Sequence, residues 1–393
     1  MRDDHAIHGA AAAGEVDAVR RWLDADTALL EIRDRKGATP LHRAVAAGAP
    51  STVALLLDRG ADIHARHLDG PGDAAGYAPV DFEPVDVALF EHDRGDLATA
   101  RLLVDRGAAY DLTVAAACGD LAHVAAALDA APDRISEARP HGRRPLSAAV
   151  VFGHDAIVRL LLDRGADPTW TEGADGPRGT ALHAAARRGD LALVDLLLDH
   201  GADPNAHVDA AGSATYAAKT PEVRARLLAR GGVLDCYDLV WLDEDDEVVR
   251  RVSADPAAAD AGCGGVFTAA ATLGKRDLVA RLIAAGARVP AVVSGCRSYL
   301  LEDPEILRLL LASGAMDPDG RNAEGATALH DLCGRDGRGR ARDHRLACAA
   351  LLLDAGASID VRDRETGATP LAWAMRHDLP DIAAYLRARG ATE

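Results

Sequence analysis

Histidines and acidic residues alternate in two short polar stretches of this sequence, with His64 and His67 in the first and His207 and Asp209 in the second. Imidazole and carboxylate groups together can bind a metal ion or exchange protons with a substrate. Histidine beside aspartate is also the ordinary composition of a turn. The sequence has no zinc-protease, serine-hydrolase, phosphate-loop or dinucleotide-binding motif. We therefore predict no metal site and no cofactor, and treat these residues as candidate binding residues.

Aromatic side chains make up only 4% of the chain, so their positions are informative. Tyr77 and Phe82 lie in HLDGPGDAAGYAPVDFEPVD, an insertion at residues 67–86. We predict that this insertion forms a binding lip and that the two rings contact a partner, because large anchors dominate binding energy. The alternative is a solvated loop that folds over its own part of the chain.

Other aromatic and acidic residues occur where the local pattern is irregular. Trp170 and Glu172 lie in a polar connecting segment, and we predict that they contribute to the same binding surface. Tyr216 and Tyr299 occupy matching positions in TYAAKTPEVRARLLARG and SYLLEDPEILRLLLASG, which align at an offset of 83. Both tyrosines could contact a ligand. The structural alternative is a shortened helix, because proline replaces a glycine turn in both segments.

Arginines cluster in GRDGRGRARDHR, residues 334–345, on an otherwise acidic protein. We predict a candidate anion-binding site at Arg335, Arg338, Arg340 and Arg342, because guanidinium groups form paired hydrogen bonds with phosphate and carboxylate. The alternative is a flexible loop rich in glycine and arginine.

The elements that must position these residues repeat along the chain. GATPLHRAVAAG at residues 37–48 returns as GATALHDLCG at 325 and GATPLAWAM at 367. Thr39 is a good N-cap, Pro40 suits a first helical position, and Gly48 can end the helix. A second helix ends at Gly60, as in the recurring phrase LLLDRGAD. The glycine of this phrase recurs about every 33 residues as far as Gly390, which predicts about twelve units.

The period and the wording resemble the ankyrin repeat, whose signature includes T-P-L-H-x-A. The residues that carry the resemblance are Thr39, Pro40, Leu41, His42 and Ala44, with close copies at Thr180, Leu182, His183 and Ala185 and at Thr327, Leu329 and His330. The resemblance implies an all-α solenoid of helix-turn-helix pairs with hairpin or loop fingers, a single array over residues 1–393. It also implies that the signature histidines bond to the backbone and that fingers and inner helices form a concave binding surface.

Charge and cysteine usage limit the partners. The net charge of −17 disfavours nucleic acid and anionic membranes, and no apolar run is long enough for a membrane helix. The six cysteines form no close pair, which predicts a reduced, cytoplasmic location. The acidic run Asp243–Glu247 is interpreted as solvated, because a calcium loop spaces its ligands.

Together these features predict a protein-interaction module or scaffold that binds a protein or peptide partner. The alternative is an enzyme whose active site is built on the fingers and the groove and acts on a small molecule or peptide. A small-molecule ligand therefore stays open.

Overall fold

The computed structural model describes residues 6–69, 80–90, 95–139, 142–172, 179–206, 212–260, 265–289, 300–301, 303–322, 325–334 and 341–392. Its chain divides into two compact units, Met1–Val233 and Leu234–Glu393. In both, short helices follow one another in pairs. We call the first helix of a pair inner and the second outer.

The first unit contains regular helix pairs. Its inner helices are α1 (Ala6–Ala12), α3 (Pro40–Ala46), α5 (Pro84–Phe90), α7 (Leu112–Cys118), α9 (Pro145–Phe152) and α11 (Ala181–Arg188). Its outer helices are α2 (Val16–Ala25), α4 (Pro50–Asp58), α6 (Leu97–Asp105), α8 (Leu121–Ala130), α10 (Asp155–Asp163) and α12 (Leu191–Asp199). A last outer helix, α13 (Pro221–Ala229), follows a single turn in which the Ala217 amide donates to the Ser213 carbonyl at 3.0 Å.

The second unit has the same organisation. Its inner helices are α14 (Cys236–Trp241), α16 (Gly265–Thr272), α19 (Ala328–Leu332) and α21 (Pro370–Arg376). Its outer helices are α15 (Asp245–Ala254), α17 (Arg276–Ala284), α18 (Pro304–Ala312), α20 (Ala341–Asp354) and α22 (Pro380–Ala388). The predicted all-α class with helix-turn-helix pairs is confirmed.

The connections between pairs include short ordered elements. Strands β1 (His67–Asp69) and β2 (Val80–Phe82) pair antiparallel at the base of the insertion, with His67 opposite Phe82. Short 3₁₀ turns at Thr27–Glu31, Pro132–Ser136 and Pro256–Asp260 follow α2, α8 and α15. The insertion therefore begins and ends as a β-hairpin rather than as an irregular loop.

The signature residues start the inner helices and link neighbouring pairs. Thr39 and His42 form a capping box in which His42 Nδ1 accepts the Thr39 amide at 3.2 Å. Because Nδ1 accepts, Nε2 carries the proton and donates to the Phe82 carbonyl of the next pair at 3.3 Å. His183 and His330 repeat this arrangement with the carbonyls of Gly212 and Ala368.

Successive pairs bury each other's apolar faces. In the first unit α3 contacts both α1 and α5, and α9 contacts both α7 and α11. Leucines and alanines fill these contacts, and Leu41, Leu112 and Leu182 are fully buried. A single pair would expose this surface, so each pair depends on its neighbours for stability.

The outer helices are joined by a ladder of arginine–aspartate pairs. The arginine directly after one outer helix forms an ion pair with an aspartate of the preceding outer helix. That aspartate is the last or second-to-last residue of its helix. The pairs are Arg59 with Asp24, Arg106 with Asp58, Arg164 with Asp129 and Arg230 with Asp199 in the first unit, and Arg389 with Asp354 in the second, at N–O distances of 2.6–2.8 Å. The recurring D-R in LLLDRGAD is therefore a contact between repeats.

The acidic run of the second unit is also engaged in ion pairs. Lys275 Nζ lies 2.6 Å from Asp243 and 2.8 Å from Asp245, and Arg281 lies 2.5 Å from Asp246. Asp243 has φ of +60°, the left-handed conformation that glycine supplies at comparable turns such as Gly119. Asp243 and Asp246 stay exposed to solvent, at 85% and 95%, and they also form ion pairs with the next helix pair.

Candidate functional site

The inner helix α7 lies at an irregular place in the first unit. The segment that connects α6 to α7 is short and comprises only residues 106–111. The corresponding segment between α4 and α5 is much longer and comprises residues 59–83. Residues of the preceding and following pairs meet each other here. Phe152 contacts Phe90 with ring centroids 6.2 Å apart, and the Arg143 guanidinium lies 5.1 Å from the centre of the Phe90 ring. We call the residues that make this connection the clasp: Glu83, Asp86, Phe90, Asp111, Arg139, Arg143, Phe152 and Glu172.

Arg139 is the centre of the clasp. Its side chain is only 5% exposed and is surrounded by carboxylates of Glu83, Asp86 and Asp111. Its Nη2 donates to Asp86 at 3.0 Å and to Glu83 at 3.3 Å. Burial disfavours the charged guanidinium, but the carboxylates, Asp86 foremost, outweigh it and hold the pKa of Arg139 above its usual range. Arg139 therefore stays charged and joins three carboxylates from separate parts of the chain.

Asp86 occupies the position that the signature histidine has in other repeats. Its Oδ2 accepts the Glu83 amide at 3.1 Å, as the histidine ring accepts the threonine amide. A carboxylate cannot donate to a neighbouring repeat as imidazole does. Here Arg139, which lies before α9 and thus two pairs further along the chain, is the donor instead. The sequence signal is E-P-V-D in place of T-P-L-H at residues 83–86.

The base of the hairpin is closed by packed rings. His67 meets His42 edge to face at 4.5 Å and stacks on Phe82 at 5.9 Å. Burial, and next the neighbouring His67, lower the pKa of His42 to about 3, so His42 is neutral at physiological pH. Outside this packed layer, His64 lies 3.9 Å from Glu83.

The finger before α11 joins the finger before α9 through two consecutive arginines. Arg143 pairs with Glu172 at 2.6 Å, and both side chains are buried. Arg144 donates its backbone amide to Glu172 at 3.2 Å, and its guanidinium lies 5.2 Å from the centre of the Trp170 ring. Trp170 is half-buried. The buried Arg143–Glu172 ion pair thus lies behind the partly exposed pair of Trp170 and Arg144. We call Trp170 and Arg144 the Trp170 finger.

The structure places the sequence-predicted residues in different environments. Phe82, His67 and Glu172 are buried, with Phe82 only 1% exposed. Their surfaces are used in packing and ion pairs, so a direct contact with a partner would require the fingers to open. His64 is exposed and Trp170 and Tyr216 are half-buried. The role of all of these in binding stays a prediction.

The remaining candidates lie outside the described residues. They are Tyr77, His207, Asp209, Tyr299, Arg335, Arg338, Arg340 and the side chain of Arg342, whose backbone belongs to α20. The lip beyond the hairpin base and the anion-binding site therefore stay predictions.

Two features of the described parts of the chain bear on other functions. They contain no group of three or more histidine, cysteine or acidic residues arranged to hold a metal ion. No helix among them has the length and apolar character needed to cross a membrane.

Comparison with known proteins agrees with the fold. Models of ankyrin repeats match residues 2–67, 112–208 and 324–364, slightly more than half of the chain. The chain therefore belongs to the ankyrin-repeat family. The insertion and the second unit up to residue 323 lie outside these matches.

Relatives share only part of their length with this chain. It is 36% identical over 163 residues to a transient receptor potential cation channel subfamily A member 1 homolog of Caenorhabditis elegans, which covers 42% of this chain and 10% of that protein. It is 27% identical over 229 residues to the E3 ubiquitin-protein ligase KEG of Arabidopsis thaliana, covering 46% of this chain and 14% of that protein. The human ASB11 ankyrin repeat domain aligns with 58% of this chain and 98% of its own, at 23% identity and a TM-score of 0.33.

Proposed function

We propose that this chain is a protein-interaction module that binds its partner through the Trp170 finger. Ankyrin repeats are generally protein–protein interaction modules. The single observation that carries the choice of surface is the half-buried Trp170 ring stacked with the Arg144 guanidinium. Tryptophan and arginine are the residues most enriched at the energetic centres of protein interfaces.

The support beneath this surface favours binding. Arg143 and Glu172 form a buried pair directly behind Arg144 and Trp170, and Arg143 also lies over Phe90 of the clasp. A finger fixed in this way loses little conformational entropy when a partner docks. The clasp thus acts as a rigid foundation, and the Trp170 finger as the contact.

The charge of the chain indicates which partner is preferred. A net charge of −17 accelerates association with basic proteins and slows it with acidic ones. We propose a basic protein or peptide in the cytoplasm as the partner. A reducing compartment fits the buried, unpaired thiols of Cys118, Cys236, Cys333 and Cys348.

The test begins with affinity capture from the native host, followed by mass spectrometry and by binding measurements on the purified partner. We expect Trp170→Ala to weaken binding at least tenfold, about 1.4 kcal/mol, with little change in melting temperature. Trp241→Ala in the second unit is the matched control and should bind normally. Equal affinities for both variants would contradict the proposal. Recovery of a bound small molecule instead of a protein would favour the enzyme alternative.

The domain organisation also stays a proposal. We propose that both units unfold together as one cooperative array, as expected when neighbouring repeats stabilise each other. Two separate transitions in a urea titration, each removing about half of the helical signal, would contradict it.

A further inference from the structure

A cleft of about 460 Å³ lies beside the irregular junction between α6 and α7. Its lining combines charged, aromatic and apolar groups. The lining residues are Arg101, Val104, Asp105, Tyr110, Cys118, Gly119 and Asp120. The volume falls in the range that holds a small ligand or a single large side chain. These residues are separate from the Trp170 finger.

Most polar groups of the cleft are already engaged. The Arg101 Nη2 donates to the Cys118 carbonyl at 3.2 Å. The Tyr110 hydroxyl donates to Asp120 Oδ2 at 3.0 Å, and the other Asp120 oxygen caps α8 through the His123 amide. These hydrogen bonds, the His123 amide first, hold the pKa of Asp120 below its usual range, so it stays ionised. Asp120 therefore adds negative charge to the cleft, but both of its oxygens already accept hydrogen bonds.

Asp105 differs from Asp120. Within the described residues its carboxylate has no ion-pair or hydrogen-bond partner. With two carboxylates and one guanidinium in the lining, the cleft carries an excess negative charge.

The ladder shows what a carboxylate at this position binds. Asp105 is the last residue of α6, as Asp58 is the last residue of α4, and Asp58 pairs with Arg106 at 2.7 Å. Arg106 lies ten positions after Asp96, the N-cap of α6, and the residue ten positions after Asp120, the N-cap of α8, is Ala130. The next repeat thus lacks the arginine that would complete the rung, and Asp105 is an unfilled position of the ladder.

We infer that this cleft binds the guanidinium group of an arginine side chain presented by a partner polypeptide. Asp105 accepts the guanidinium as the ladder aspartates accept theirs, and Asp120 adds long-range attraction. The Tyr110 ring and Val104 supply a face on which the planar group stacks. The expected ligand is thus a basic segment, whose positive charge is complementary to the net negative charge of the chain.

The test uses acetyl-arginine-amide as the probe and acetyl-citrulline-amide, its neutral isostere, as the comparison. Both are titrated into the full chain while backbone amide shifts are followed by NMR. We expect saturable shifts at Val104 and Gly119 with the arginine compound, a dissociation constant in the millimolar range, and no saturation with citrulline. Asp105→Asn should weaken arginine binding at least fivefold.

The matched control is Asp163→Asn. Asp163 ends α10 and has no ion-pair partner among the described residues, because His200 follows the next outer helix in place of arginine. It does not line the cleft. This variant removes the same charge and should bind the probe normally. Equal weakening in both variants, or shifts spread evenly over the acidic surface, would show attraction by net charge alone and would overturn the inference. Failure here leaves the Trp170 finger untouched, because that proposal is measured on other residues.

Discussion

Arginine–carboxylate pairs occur in two contrasting regions of the first unit. In the clasp, Arg139 and Arg143 are 5% exposed and their partners are largely buried. In the ladder, the arginines are 33–41% exposed and the aspartates 58–66%. The same chemical pair therefore experiences a low dielectric in one region and nearly bulk water in the other. The clasp should determine stability, whereas the ladder should mainly fix the alignment of neighbouring repeats.

The largest effect is expected from Arg139→Met. This change leaves Glu83, Asp86 and Asp111 close together without their counter-charge, and breaking a buried pair in this way costs about 3–5 kcal/mol. The free energy of unfolding from urea denaturation measures it. Arg66→Met is the control, because Arg66 also faces Glu83, at 3.8 Å, but is 54% exposed. That variant should lose no more than about 1 kcal/mol. Similar losses in the two variants would remove the distinction between buried and exposed arginine–carboxylate pairs.

A second, smaller effect is expected in acid. His42 has a pKa of about 3 in the folded chain against 6.5 for the free side chain. Between these values the unfolded chain binds a proton that the folded chain does not. The contribution of His42 to stability is therefore complete above about pH 6.5 and declines as the pH falls toward 3.

His42→Gln isolates this contribution, because glutamine at the same position keeps the capping box with Thr39 but does not titrate. Urea denaturation at several pH values between 7.5 and 4.5 should show about one proton less taken up on unfolding in the variant. If the free energy of unfolding depended on pH equally in the variant and the unaltered chain, the acid sensitivity would belong to other groups.

The regular parts of this molecule could be predicted from the sequence because a few neighbouring side chains determine them locally. Thr39, Pro40 and His42 act within a single helical turn, so their pattern predicted the helix start, and the resemblance to the ankyrin repeat implied the backbone contact of the histidine. The clasp depends on residues more than 50 positions apart, such as Asp86 and Arg139. Periodicity carries no information on such pairs, although the replacement of histidine by Asp86 marks where the regular contact is lost.

The candidate site was predictable only in part, for a related reason. Trp170 and Phe82 looked alike in the sequence, as isolated aromatic residues in irregular segments. The structure separates them, because Phe82 pairs in a β-hairpin that turns its ring toward His67, whereas Trp170 is held outside by Arg144. Hairpin register is set by pairing across a long insertion, and composition cannot predict it.

The smallest effect is expected in the ladder. Asp58→Asn removes the partner of Arg106 but leaves both side chains in contact with water, so the loss of stability should be about 0.2–1 kcal/mol. Salt screens an exposed pair, so the difference in stability from the unaltered chain should shrink between 0.05 and 0.5 M sodium chloride, about a threefold fall in Debye length. Asp163→Asn, which removes an aspartate that has no rung in the described structure, should show neither the loss nor the salt dependence. If Asp58→Asn instead cost as much as Arg139→Met and ignored salt, the ladder would be a second stabilising network. Asp105, which like Asp163 has no arginine partner in the described structure, would then be a weak point of the stack rather than a vacant binding position.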